Sequence, residues 1–410
     1  MSEKKLSKNI IIYGLSNGIK SLVPFIMLPV LTTYLSAEGL GLISIIETSI
    51  LFVSPFILLN IDAGVRVEYF KLSKSNLATY LTNGLLLSLC SFLLISVLFF
   101  FLRNWINQVL EIPVAIILLL PIFVLLRLIP SLVLVIFQVQ QKPVHYLFYS
   151  LAQTLIDFAL SALFIMIWLR GYIGRLEGTY LAFFAATLIG LAIITKMGYF
   201  KFSISLSKIK QVLRFGVPLI PHVIGGTIIA MSDRFFISHF LGNERVGIYT
   251  ASYQVAALML LFSTSVNQAW NPTLFKMLSE GKFPQIKKLS NILLAAFALT
   301  GAITYSLKDI LFQVLIDPEF NEAKLYFGWL LLGFVLQAFY FVFSGFLFYY
   351  KKTKTLASIT FSGAIVNLVL NYALIIPYGV LGVAYATAIT WLLFLLATFV
   401  LYKKLIRIHA

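Results

Sequence analysis

Runs of mainly apolar residues, each about twenty or more long, follow one another along the chain with only short polar breaks. A helix crossing the roughly 30 Å hydrocarbon core of a bilayer needs about 20 such residues, because every backbone N–H and C=O must find its partner inside the segment. Twelve segments meet that length, at approximately 9–35, 39–61, 77–102, 112–138, 146–169, 178–196, 215–241, 246–275, 286–307, 324–350, 355–376 and 380–402. The pattern predicts an all-α integral membrane protein with twelve transmembrane helices. The first segment exceeds a signal-peptide core and is followed by no small-residue cleavage pattern, so it reads as a retained helix. The connections are short apart from about Gly198 to Arg214, which leaves no room for a separate soluble catalytic domain.

Composition agrees: 60% of the 410 residues are hydrophobic and 11% are charged, against about 25% charged in soluble proteins. The net charge of +16 changes the picture only through its placement. Twenty-two of the 31 lysines and arginines fall in connections on one face, six on the other and three inside spans. Short loops rich in lysine and arginine stay in the cytoplasm, so both termini are expected there. A basic inner rim suits anionic lipid head groups and removes the case for nucleic acid. Cys90 stands alone in an apolar run and four histidines are scattered, so neither disulfides nor a metal constellation is expected. No cofactor is expected either; coupling to H+ or Na+ stays open.

The chain echoes itself at about half its length. Leu35, Glu38 and Gly41 match Leu241, Glu244 and Gly247; Gln108 to Leu110 and Pro113 match Gln313 to Leu315 and Pro318; Gly178 matches Gly382. Two halves are therefore expected, residues 1–205 and 206–410, each a six-helix lobe. An even number of spans makes the two enter the membrane from the same side, related by a pseudo-twofold along its normal. Parallel repeats of this kind are a transporter architecture.

Six ionisable residues lie well inside spans: Lys20, Glu47, Arg127, Asp157, Asp233 and Arg234. Each costs at least about 2.5–3.5 kcal/mol at the membrane centre, so each should meet a partner or a watery cavity. Lys20, Arg127 and Asp157 are each about eleven residues from the basic end of their spans, hence at one level, with Glu47 about 4–5 Å further along. Polar residues share helical faces with them, Asn17 with Lys20 and Gln153 with Asp157, while Asn267 and Asn371 mark gentler stripes in the second half. Two readings stay open. In one, Arg127 pairs with Asp157 and Lys20 with Glu47, as structural ion pairs. In the other, Lys20 and Arg127 form a cationic site for an anionic head group, since arginine grips phosphate bidentately and lysine attracts it as a point charge. Asn17, Gln153, Arg234, Asn267 and Asn371 are further substrate-binding candidates, and Glu47, Asp157 and Asp233 are candidates for ion coupling or structural pairing. Pro24, Pro29, Pro218 and Pro221 predict bends, because each removes a backbone hydrogen bond.

Particular phrases carry a family likeness: Tyr34 to Gly41 (YLSAEGLG), its echo Phe240 to Tyr249 (FLGNERVGIY), Asn267 to Pro272 (NQAWNP), Tyr349 to Lys354 (YYKKTK) and Asn367 to Ala386 (NLVLNYALIIPYGVLGVAYA). With twelve spans and a repeat, the chain resembles O-antigen flippases, in the polysaccharide-exporter branch of the multidrug/oligosaccharidyl-lipid/polysaccharide (MOP) flippase superfamily. The resemblance implies a transporter and not an enzyme. It implies movement of undecaprenyl-diphosphate-linked oligosaccharide from the inner to the outer leaflet of the bacterial inner membrane by alternating access, beside polysaccharide polymerase and chain-length machinery. A MATE-like drug exporter and an integral-membrane polymerase or ligase are the alternatives. Lys20 speaks against the exporter, and the short outer connections speak against the enzyme.

Overall fold

The computed structural model describes the backbone of residues 3–409, and side chains throughout except those of 3–11, 13, 15–17, 353, 354, 356, 357 and 407–409. Among the described residues there is no strand. Fifteen α-helices follow one another: α1 (Glu3–Tyr34), α2 (Ala37–Leu58), α3 (Ile61–Glu68), α4 (Lys74–Leu110), α5 (Val114–Leu126), α6 (Leu128–Val139), α7 (Pro143–Ala162), α8 (Gly171–Lys196), α9 (Leu206–Leu241), α10 (Asn243–Ser279), α11 (Phe283–Ser306), α12 (Lys308–Leu315), α13 (Lys324–Tyr349), α14 (Thr353–Tyr378) and α15 (Val380–His409). Eleven helical segments among the described residues are long and apolar enough to cross a membrane, and Gly18–Tyr34 adds a shorter apolar stretch in α1. The molecule is a multi-pass membrane protein. Its helices run through Pro24, Pro29, Pro218 and Pro221. A further span is interrupted at Arg127, between α5 and α6.

Two compact units are formed, one of Met1–Leu35 and Leu42–Thr227, the other of Ser36–Gly41 and Ile228–Ala410. In the first, α6 supplies much of the core: Leu132, Val133 and Ile136 pack with Ile61 and Val65 of α3, Tyr80 of α4 and Tyr149 of α7. Asn83 of α4, 1% exposed, holds the extended segment after α8 as a strand partner would. Its amide donates to the Ser203 carbonyl (2.7 Å) and accepts from the Ser205 N–H (3.0 Å).

In the second unit α13 packs between α10 and α15. The buried face of α15 carries Val383, Ala384, Ala386 and Ala388, small residues that let helix backbones approach in lipid, where dispersion and close fit drive association. The closest approach joins Gly41 of α2 to Gly247 of α10. A Cβ on Gly41 would overlap the Asn243 carbonyl, and one on Gly247 would overlap the Ala37 carbonyl. Each glycine thus rests on the residue four positions before the other. Gly41→Ala and Gly247→Ala are each expected to cost about 1–3 kcal/mol, the range for overpacking, measured as a lower melting temperature in detergent. Two unchanged melting temperatures would refute the contact.

Candidate functional site

In the first unit Glu47 of α2, Arg127 and Tyr180 of α8 meet. Arg127 Nη2 donates to Glu47 Oε2 at 2.7 Å, and the Tyr180 hydroxyl donates to Oε1 at 3.3 Å. Tyr180 stacks on Phe123 with centroids 3.5 Å apart, and the Arg127 guanidinium lies 5.1 Å over the Phe183 ring. The local cause is Pro130. It has no N–H to offer the Leu126 carbonyl four residues earlier, so the helix breaks at Arg127, and Thr187 Oγ1 of α8 donates to that carbonyl instead (2.8 Å). The ion pair is not sealed: the side chains are 19% and 36% exposed, and Arg127 Nε is buried without a hydrogen-bond partner.

A second polar cluster joins α7 to α8. Asp157 accepts from Arg175 (2.8 and 3.4 Å), Thr179 (2.8 Å) and Ser161 (3.2 Å), and Arg175 also donates to Ser161 (2.6 Å). Gly174 and Gly178, four apart on α8, make this possible. A Cβ on Gly174 would press on the Phe164 backbone and one on Gly178 on the Ser161 backbone.

These contacts correct the expected pairs. Glu47 takes Arg127 and Asp157 takes Arg175, so neither Arg127–Asp157 nor Lys20–Glu47 forms. Arg175 escapes a hydropathy reading because the apolar run of span six starts at 178, whereas α8 begins at Gly171. The glycine spacing ahead of Gly178 is the signal that would have placed it. Lys20 is half-buried on α1 and, among the described residues, has neither an ion-pair partner nor a hydrogen bond. The side chain of Asn17 lies outside the described residues. Gln153 makes no hydrogen bond among them and lines a cavity between α7 and α8.

The second unit buries the pair Asp233 and Arg234. Asp233 and Arg234 are each 5% exposed. Arg234 Nη1 donates to Asp233 Oδ1 at 3.0 Å, and the Tyr249 hydroxyl donates to Oδ2. The guanidinium lies 4.4 Å over the Tyr253 ring. This pair is a packed element of the core and does not snorkel; Tyr249 and Tyr253, one turn apart on α10, were unmarked in sequence because tyrosine is common at membrane interfaces. Asn371 belongs to an amide and hydroxyl chain: it donates to Asn367 Oδ1 (3.2 Å), which also accepts from Ser232 (3.2 Å), while Asn367 donates to Thr390 (3.3 Å). The Oδ1 atoms of Asn267 and Asn371 are buried without partners. No group of three His, Cys, Asp or Glu among the described residues is placed to hold a metal ion.

Comparison with known proteins agrees with this architecture. The family model for polysaccharide biosynthesis proteins matches residues 6–278 and the MatE model matches 218–373. An uncharacterized membrane protein of Haemophilus influenzae is 25% identical over 406 residues, covering 92% of this chain and 95% of that protein. The "Probable low-salt glycan biosynthesis flippase Agl15" of Haloferax volcanii is 26% identical over 215 residues, 50% of this chain and 45% of that one. Among solved structures, the lipid II flippase MurJ in an inward closed conformation superposes with a TM-score of 0.78 at 15% identity, covering 96% of this chain and 87% of its own. An inward-facing multidrug resistance MATE transporter of the MOP superfamily gives 0.71 at 13%, covering 97% and 99%. The solved structures share this fold, and the chain belongs to the polysaccharide biosynthesis protein family.

Proposed function

We propose that the protein carries an undecaprenyl-diphosphate-linked oligosaccharide, the repeat unit of O-antigen or another surface polysaccharide, from the inner to the outer leaflet of a bacterial inner membrane by alternating access. The observation that carries this reading is Lys20, an intramembrane cation without a counter-ion among the described residues. Such a charge is stable in a spanning helix only if something anionic or hydrated meets it, and a diphosphate is both. Arg127, with its Nε unpartnered, offers a second cation, and the unpaired amide oxygens of Asn267 and Asn371 suit sugar hydroxyls. The three intramembrane carboxylates are committed to arginines, so any coupling to H+ or Na+ through them works on paired groups.

The test is lipid analysis after depletion of the protein from its native bacterium. Carrier-linked repeat unit is expected to accumulate on the cytoplasmic side while surface polymer is lost, and the mass of the accumulated lipid names the sugar. Unchanged carrier lipids, with new sensitivity to cationic dyes, would replace this reading by drug export.

A further inference from the structure

A cavity of 540 Å³ opens in the first unit between α7, α8 and the end of α6. Its volume lies within the roughly 300–1,000 Å³ of sites that enclose small ligands. Val144, Phe148 and Ile189 on its wall are 45%, 69% and 50% exposed, and on spanning helices exposed apolar surface faces bilayer chains. From Val144 to Ile156 the track is about 18 Å long at 1.5 Å per residue. It is corrugated: on α7, Phe148, Ala152 and Ile156 succeed one another at four-residue spacing, large, small and large.

One edge of the track is polar. His145, Tyr149 and Gln153 share the α7 face at the same spacing. The Tyr149 hydroxyl is committed to the Ala186 carbonyl at 2.7 Å, and His145 and Gln153 make no hydrogen bond among the described residues. His145 stands at the end where Lys142 precedes α7 and Lys196 closes α8, both exposed. That end is basic, and lysine and arginine placement assigns it to the cytoplasm.

The geometry points to a binding groove for the isoprenoid chain of the lipid-linked substrate, which enters from the cytoplasmic leaflet with its phosphates between Lys142, His145 and Lys196. The inference rests on the flippase reading and adds to it the place where the tail is held. A methyl-branched chain fits the recess at Ala152 between Phe148 and Ile156, and the basic mouth complements the phosphates at the other end of the same molecule.

The full-length protein in phosphatidylcholine nanodiscs would be labelled with a diazirine-bearing polyprenyl diphosphate, and the modified peptides mapped. Label is expected within residues 137–193, competed by unlabelled polyprenyl diphosphate and not by phosphatidylglycerol. Ala152→Trp should lower labelling at least about tenfold, while Leu94→Trp on α4, a position 70% exposed, leaves it unchanged. Mapping on the unaltered protein decides the matter even if Ala152→Trp misfolds. Equal competition by phosphatidylglycerol would make the groove a general lipid site and overturn the inference. Saturable labelling confined to other helices would overturn it and leave the flippase reading standing; no saturable labelling anywhere would remove both.

Discussion

Lys20→Ala is expected to abolish export of the lipid-linked precursor while the protein still inserts and accumulates to normal levels. The separation follows from the absence of a partner. Removing one member of an ion pair strands the other, but Lys20 has no counter-ion among the described residues, so its loss strands nothing. The helix should insert more readily, by up to about 2.5–3.5 kcal/mol on the insertion scale. Loss of function with unchanged or higher abundance is therefore the signature of a working charge, and membrane-fraction immunoblots beside surface-polysaccharide analysis read both at once. Arg127→Ala should also stop export, with a different signature: Glu47 loses its 2.7 Å partner, and abundance should fall with activity. Normal export by Lys20→Ala would take this lysine out of the mechanism.

Asp233→Ala is expected to be the most destabilising of the charge substitutions. Both members of its pair are 5% exposed, and removing one partner of a buried ion pair costs about 3–5 kcal/mol because the other is left uncompensated. The Tyr249 hydroxyl loses its acceptor in the same step. Replacing both charges, with Asp233→Leu and Arg234→Leu together, should recover most of the loss, since an apolar pair of similar volume is often neutral or stabilising. Thermal unfolding in detergent distinguishes the three proteins. A single variant that melts like the parent would show that the pair carries no structural weight.

The number of spans was legible because each crossing needs about 20 apolar residues, and eleven segments with a shorter twelfth stretch follow from that constraint, although α8 begins at Gly171, ahead of its apolar run. Rotation and neighbour choice were not. Asp157 meets Arg175 because Gly174 and Gly178 bring α8 against α7. Arg127 meets Glu47 at a helix break that Pro130 causes, and nothing in a hydropathy profile separates that proline from Pro24 or Pro218, through which the helices continue. The tyrosines around Asp233 and Glu47 were hidden for a related reason: an aromatic ring reads as apolar packing until its hydroxyl is seen to donate.

Gly41 and Gly247 make two distant codons answerable to each other. Any side chain added at one displaces the backbone on which the other depends, so neither can be repaired by a change beside itself. A second side chain at the partner position adds an overlap and relieves none. In a library of random variants, single substitutions at either position should therefore be depleted.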